Sequence, residues 1–137
     1  MSHFEWSDER SIHLPEVDAE HRTLYRCAME LNRALSKGVR VQVIAKWRVL
    51  LAEAEDHLQH EERLMRAAHY SLYEWHKGQH DTLRKRAAEH EKRILLGEAK
   101  AGKEFLEFLG RWLADHVAVA DNMMGAALRN HQRSHAA

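Results

Sequence analysis

Six side chains able to hold a metal recur at helical spacing: His21, His57, Glu61, His76, His80 and His116. His57 and Glu61 are four residues apart, as are His76 and His80, which stacks both members of each pair on one face of a helix. Imidazole and carboxylate without thiolate suit iron, manganese, zinc or copper. They argue against a Cys-rich zinc site or an iron–sulfur cluster. Five histidines and a carboxylate exceed what one ion can use, so the set suits two ions joined by bridging carboxylates. Asp121 could supply a second bridge, but it lies five residues after His116. On an ideal helix that turns it about 140° away. Either the helix widens locally, as a π-bulge does, or Asp121 is a surface acid.

Helices must carry these groups inward. Residues 1–16 contain Pro15 and show no sustained period, and they read as an arm that packs Phe4, Trp6 and Ile12 onto the rest. Apolar residues then recur by threes and fours in segments spanning about 18–37, about 41–68, about 71–96 and about 103–129. Asp18 is the expected N-cap of the first and Gly38 its stop. The stripes are Leu24, Tyr25, Ala28, Leu31 and Leu35; Val43, Trp47, Leu50, Ala54, Leu64 and Ala68; Leu72, Leu83, Ala87 and Ile94; and Phe105, Leu109, Trp112, Ala120, Met123 and Ala127. Short connections make neighbours antiparallel. The expected fold is all-α, an up-down-up-down antiparallel four-helix bundle with an N-terminal arm, forming a single domain over residues 1–137. Every stripe is interrupted near its middle by a metal-capable side chain. Burying such groups unpaired costs several kcal/mol, and a metal at that level satisfies them together.

Composition narrows the function. The 21 basic and 21 acidic residues balance, so no charge excess favours nucleic acid or an anionic membrane. No run approaches the ~20 apolar residues of a membrane span, no signal-peptide pattern opens the chain, and one cysteine suits a reducing cytoplasm. The remaining histidines have duller expectations: His60, His69 and His90 stay off the metal, and His3, His13, His131 and His135 are solvated. Cys27 is expected to be a packed thiol, and Glu62 to be solvated or paired with Arg66.

The motifs in order resemble the hemerythrin family, and within it the bacteriohemerythrins, over nearly the whole chain. They are Trp6, VDAEH (17–21), HLQHEERLM (57–65), HKGQH (76–80) and WLADHVAVAD (112–121). The resemblance implies two non-haem iron ions, one held by His76, His80 and His116 and the other by His21 and His57. Glu61 and Asp121 bridge them with an oxo or hydroxo group. One coordination position is then open, and dioxygen binds there reversibly for transport, storage or delivery. Reversibility requires an apolar wall, for which Leu58, Trp112, Leu113 and Val117 are the candidates, with Tyr25 near enough to donate to a bound ligand. The family usually places aromatic residues where this chain has Leu58 and Leu83, which implies a wider pocket open to nitric oxide, azide or peroxide. The expected protein is not an enzyme: the Glu-x-x-His pairs of ferritin-like oxidases are absent, as is the Cys-x-x-Cys-His of c-type haem bundles. A module that senses oxygen, nitric oxide or iron is the alternative, as is a di-iron oxidase or peroxidase-like activity.

Overall fold

The computed structural model describes residues 4–135; His3 lies outside them. Four long helical rods form the molecule. The first, α1, spans Pro15–Lys37 and starts on a proline, whose fixed φ suits the first helical position. It stops at Gly38, whose left-handed φ of 72° lets its N–H reach the Ala34 carbonyl. The second, α2, spans Arg40–Ala67 and the third, α3, Tyr73–Leu95. The fourth rod is continuous but compound: α4 covers Ala99–His116, a π-helical turn Val117–Asp121, and α5 Asn122–His135. Among the described residues no helix is long and apolar enough to cross a membrane.

Two apolar clusters divide the interior, and the chain's path between them gives the topology. Leu24, Leu31, Trp47, Leu58, Leu83, Phe105 and Leu113 belong to the larger cluster. Val17, Met65, Tyr73, Val117, Met124 and Leu128 belong to the smaller. Along α1 and α3 the small cluster comes first; along α2 and the fourth rod the large one does. Neighbouring rods therefore alternate in direction, as in an up-down-up-down bundle. Between the clusters lie His21, Glu61, His76, His80, His116 and Asp121, all buried.

The arm closes one side, with Phe4 and Ile12 buried and Trp6 packed against the large cluster. Asp18 does not cap α1. It lies inside the helix, where its carboxylate accepts from Ser11 Oγ (2.6 Å) and from the Ile12 N–H (2.9 Å), tying down the arm. Proline took over the start of the helix and freed that carboxylate. Gly125 lets the arm come close, since a Cβ there would stand 2.9 Å from the Ile12 carbonyl oxygen.

The fourth stripe departs from simple period after His116. Met123, expected inside, is 44% exposed, while Met124 and Leu128 are buried. The π turn adds one residue to that turn of helix, so the inner face afterwards runs one position later than a 3.6-residue period foresees. Leu72 likewise stands ahead of α3 and is exposed.

Candidate metal centre

Five imidazoles and two carboxylates converge between the two clusters. Their donor atoms form two groups, each with all its atoms within 4.8 Å of one another: Glu61, His76, His80, His116 and Asp121; and His21, His57, Glu61 and Asp121. The two carboxylates belong to both groups, one oxygen toward each. Glu61 Oε1 lies 3.0 Å from His80 Nε2 and 3.2 Å from His76 Nε2. Its Oε2 lies 2.9 Å from His57 Nε2 and 3.5 Å from His21 Nε2. Asp121 Oδ1 is 3.0 Å from the Nε2 of both His76 and His116, and its Oδ2 is 3.1 Å from His21 Nε2.

The local sequence explains how each group arrives. The two i,i+4 pairs supply four of the seven from α2 and α3, and His21 and His116 come singly from their stripes. Asp121 arrives through the π turn, whose closing bond runs from the Asn122 N–H to the Val117 carbonyl, five residues back. That settles the alternative open from period alone: Asp121 is a wholly buried acid at the centre.

These donors fit a metal better than they fit one another. His21 Nε2, His116 Nε2, Glu61 Oε2 and both Asp121 oxygens are buried and have no hydrogen-bond partner, although opposite groups stand 2.9–4.0 Å away. They face each other without lining up as donor and acceptor, an expensive arrangement in a low-dielectric interior. The field is that of a cation site. Burial works against charging His57 and His76, yet Glu61, Asp121 and, for His57, Glu20 push their pKa values up to about 10 and about 9. Glu61 and Asp121 are held below the ordinary carboxylate range, because the imidazoles outweigh the burial that would raise them. Surroundings that draw protons onto imidazoles this strongly favour any compact cation.

Three of the five outward-facing nitrogens are also held, while His21 Nδ1 and His76 Nδ1 are buried without a partner. His57 Nδ1 lies 2.6 Å from Glu20, His80 Nδ1 2.8 Å from Glu62, and His116 Nδ1 2.7 Å from the Gln79 side-chain oxygen. With Nε2 turned to the centre, each Nδ1–H donates outward, which fixes the ring and raises its basicity. Arg84 anchors Glu62 at 2.8 Å, and Glu20 also receives His60 Nδ1 at 2.7 Å. Sequence reasoning missed these roles. Glu62 was expected in solvent or on Arg66; it is buried and bonded to His80 and Arg84. Its signal was available, since a residue beside an inward carboxylate on α2 borders the α2–α3 seam. Glu20 and Gln79 sit beside ligands, but their reach across to another helix has no periodic trace.

A cavity of about 390 Å³ opens beside the centre, lined by His21, His57, His116 and Asp121 on one side and by Leu58, Leu83, Trp112 and Leu113 among its walls. Trp112 stacks on the His116 ring at 4.3 Å and 13°. Two expected wall residues are elsewhere. Val117 packs into the small cluster, because it follows His116 toward the other end of the bundle. Tyr25 is buried beneath the arm, and its hydroxyl accepts from Arg10 at 3.0 Å. Cys27 is buried, which pushes its thiol pKa up. His90 bonds its own helix carbonyl at Arg86, off the centre.

Fold and site together define a histidine-rich, carboxylate-linked metalloprotein built in a four-helix bundle. The sequence profile of the hemerythrin HHE cation binding domain matches residues 13–128. The chain belongs to the hemerythrin family. It is similar to the bacteriohemerythrin of Methylococcus capsulatus (Bath), 26% identical over 82% of this chain and 86% of that one. It is also similar to the bacteriohemerythrins of Stenotrophomonas maltophilia (28%; 92% and 82%) and Clostridium acetobutylicum (28%; 86% and 95%). A crystal structure of a hemerythrin point mutant superposes with a TM-score of 0.84 at 23% identity, covering 90% of this chain and 95% of that one, which shows the shared fold.

Proposed function

We propose that this chain holds two non-haem iron ions and binds dioxygen reversibly, as a carrier and not as an enzyme. The observation that carries the reading is an inequality. Glu61 and Asp121 each turn one oxygen to either side, but three histidines stand on one side and two on the other. His76, His80 and His116 with one oxygen from each carboxylate would hold one iron. His21 and His57 with the other two oxygens would hold the second, with one protein ligand fewer, and both histidines line the cavity. When bound, the iron pair would supply the electrons that reversible dioxygen binding requires.

The chain's own residues protect that position. Leu58, Leu113 and Trp112 keep water and proton donors away, which favours return of the ligand unchanged. Apart from the ligands, Glu55, Arg84 and Glu91 are the ionisable groups lining the cavity. The first two pair with each other at 2.8 Å, and Glu91 accepts from Trp47 Nε1 at 3.1 Å. Each of the three thus has a partner. Nitric oxide and azide are small enough to follow the same route, and a cytoplasmic setting suits the lone buried thiol.

The test is metal analysis of anaerobically purified protein followed by an optical oxygen titration. Two irons per chain and a spectrum that bleaches on deoxygenation are expected. Steady oxygen consumption with a reductant, without a reversible spectrum, would overturn carriage in favour of oxidation.

A further inference from the structure

The cavity is far larger than a diatomic gas requires. It measures about 390 Å³, whereas the share of liquid volume taken by one water is roughly 30 Å³, and an apolar cavity of roughly 150 Å³ already takes up benzene. Sites for small organic ligands begin at roughly 300 Å³. We propose that this chamber is a binding site for an uncharged one- or two-ring aromatic compound, seated beside the metal centre.

The wall chemistry sets the class. Leu50, Leu58, Leu83 and Leu109 supply aliphatic surface, and Phe105 and Trp112 supply rings. Trp112 lies flat on His116, and Phe105 meets Trp47 in a T-shaped contact at 4.9 Å, so both lining rings are held in fixed orientations. Such walls favour offset or edge contacts with another ring. Negative charge is selected against. Arg84 is neutralised by Glu55, and Glu91, which accepts from the neutral Trp47 N–H, adds only negative charge to the wall, so an anionic guest would lose its hydration without a partner.

A way in is visible along the α2–α3 seam. Ala54 on α2 and Ala87 on α3 line the chamber, where larger side chains would close it. Across the same seam stand Glu55 and Arg84, whose side chains are 41% and 26% exposed. Glu55 is long and exposed, so a change of its rotamer can open the route while Arg84 stays on Glu62 and Asp81, without movement of a helix. The Leu residues at 58 and 83 keep the chamber wide where aromatic rings would fill it. The site stands on this chamber's dimensions and walls, not on the dioxygen reading.

Indole and toluene are the probes, titrated into the iron-loaded protein and followed by ligand NMR and thermal unfolding, with benzoate as the charged counterpart. Saturable binding of both neutral rings with a raised midpoint is expected, with benzoate at least tenfold weaker. Leu83→Phe and, from the opposite helix, Ala54→Leu are each expected to weaken indole at least tenfold while iron content and helix signal stay unchanged. No saturable binding of either ring, binding indifferent to both substitutions, or benzoate binding as tightly as toluene would each overturn the site. Binding of indole to protein that never oxygenates reversibly supports the chamber and counts only against the carrier; absent indole binding with normal oxygenation does the reverse.

Discussion

His116 Nε2 and Asp121 Oδ1 stand 3.0 Å apart although five residues separate them along one helical rod. An α-helix would place those side chains on different faces; the π turn between Val117 and Asp121 brings them back together. A widened turn is a rare conformation with its own cost, and such turns gather where a side chain must be re-aimed.

Because each carboxylate serves both donor groups, Asp121 and Glu61 are worth more than any one histidine. Asp121→Ala or Glu61→Ala removes an oxygen from both positions at once, so each variant is expected to lose both irons on dialysis. His21→Ala and His116→Ala each deplete one position, and at least one iron is expected to be lost. Iron per chain, measured after dialysis alongside a helix signal to confirm folding, separates these outcomes. Two irons retained in Asp121→Ala would sink the bridging assignment.

The grip of Glu62 on His80 reaches the surface through Arg84, which also binds Glu55 and Asp81. Glu62→Gln keeps the size of the side chain but removes the charge that holds the His80 N–H. Loss of such an outer carboxylate typically weakens metal binding by ~10–100-fold. That range is expected for Glu62→Gln in a competition titration with a chelator. Arg84→Ala is expected to have a smaller effect in the same direction, since the carboxylate remains but is less well placed. Equal affinity in wild type and Glu62→Gln would remove Glu62 from the site.

Much of this centre was legible in the sequence. The i,i+4 pairs fixed which faces of α2 and α3 point inward, and polar interruptions in four apolar stripes marked the level at which they meet. From period alone Asp121 was legible only as an alternative, because period assumes constant rotation and a π turn breaks that assumption; the resemblance in WLADHVAVAD is what placed it among the ligands. Met123 was misplaced for the same reason, one turn further on. Asp18 was misread because a proline had already begun α1, leaving an acid that looks like a cap free to bind the arm. Glu20, Glu62 and Gln79 act between helices, and pairing across a bundle depends on rotation and height that spacing within one helix does not report. Tyr25 and Val117 failed as wall residues in a related way: lying within a turn of a ligand says nothing about which side of it the cavity occupies.

Metal removal should expose an alkaline weakness. His57 and His76 rise from an ordinary 6.5 to about 10 and about 9 in the folded chain. A group whose pKa is raised by folding contributes fully below its unfolded value and loses that contribution as pH climbs through its folded one. The stripped protein should therefore lose stability between about 6.5 and about 10. Glu61 and Asp121 are lowered instead, so their contribution disappears on acidification. Iron-loaded protein binds neutral imidazoles, so the alkaline loss should vanish and loading should release protons near neutrality. Denaturant midpoints from pH 6.5 to 9.5 with and without iron, and calorimetry in buffers of different ionisation heat, check both statements. A stripped protein whose midpoint rises over that range would contradict the field described at the centre.

Leu58 and Leu83 set how well the open position is sheltered. Both line the cavity, and Leu58 follows the ligand His57 directly. A bound oxygen ligand is lost irreversibly when water or a proton reaches it, so the rate of autoxidation measures the seal. Leu58→Phe and Leu83→Phe add a ring to a space with room for one, so burial should cost little and exclude water. Each is expected to slow autoxidation severalfold and to slow azide binding to the oxidised centre in step, because both reagents use the same space. Stopped-flow azide binding and the decay of the oxygenated spectrum test this together. Autoxidation unchanged in both variants, with iron content intact, would mean that solvent reaches the iron pair by another route and that the cavity is not its door.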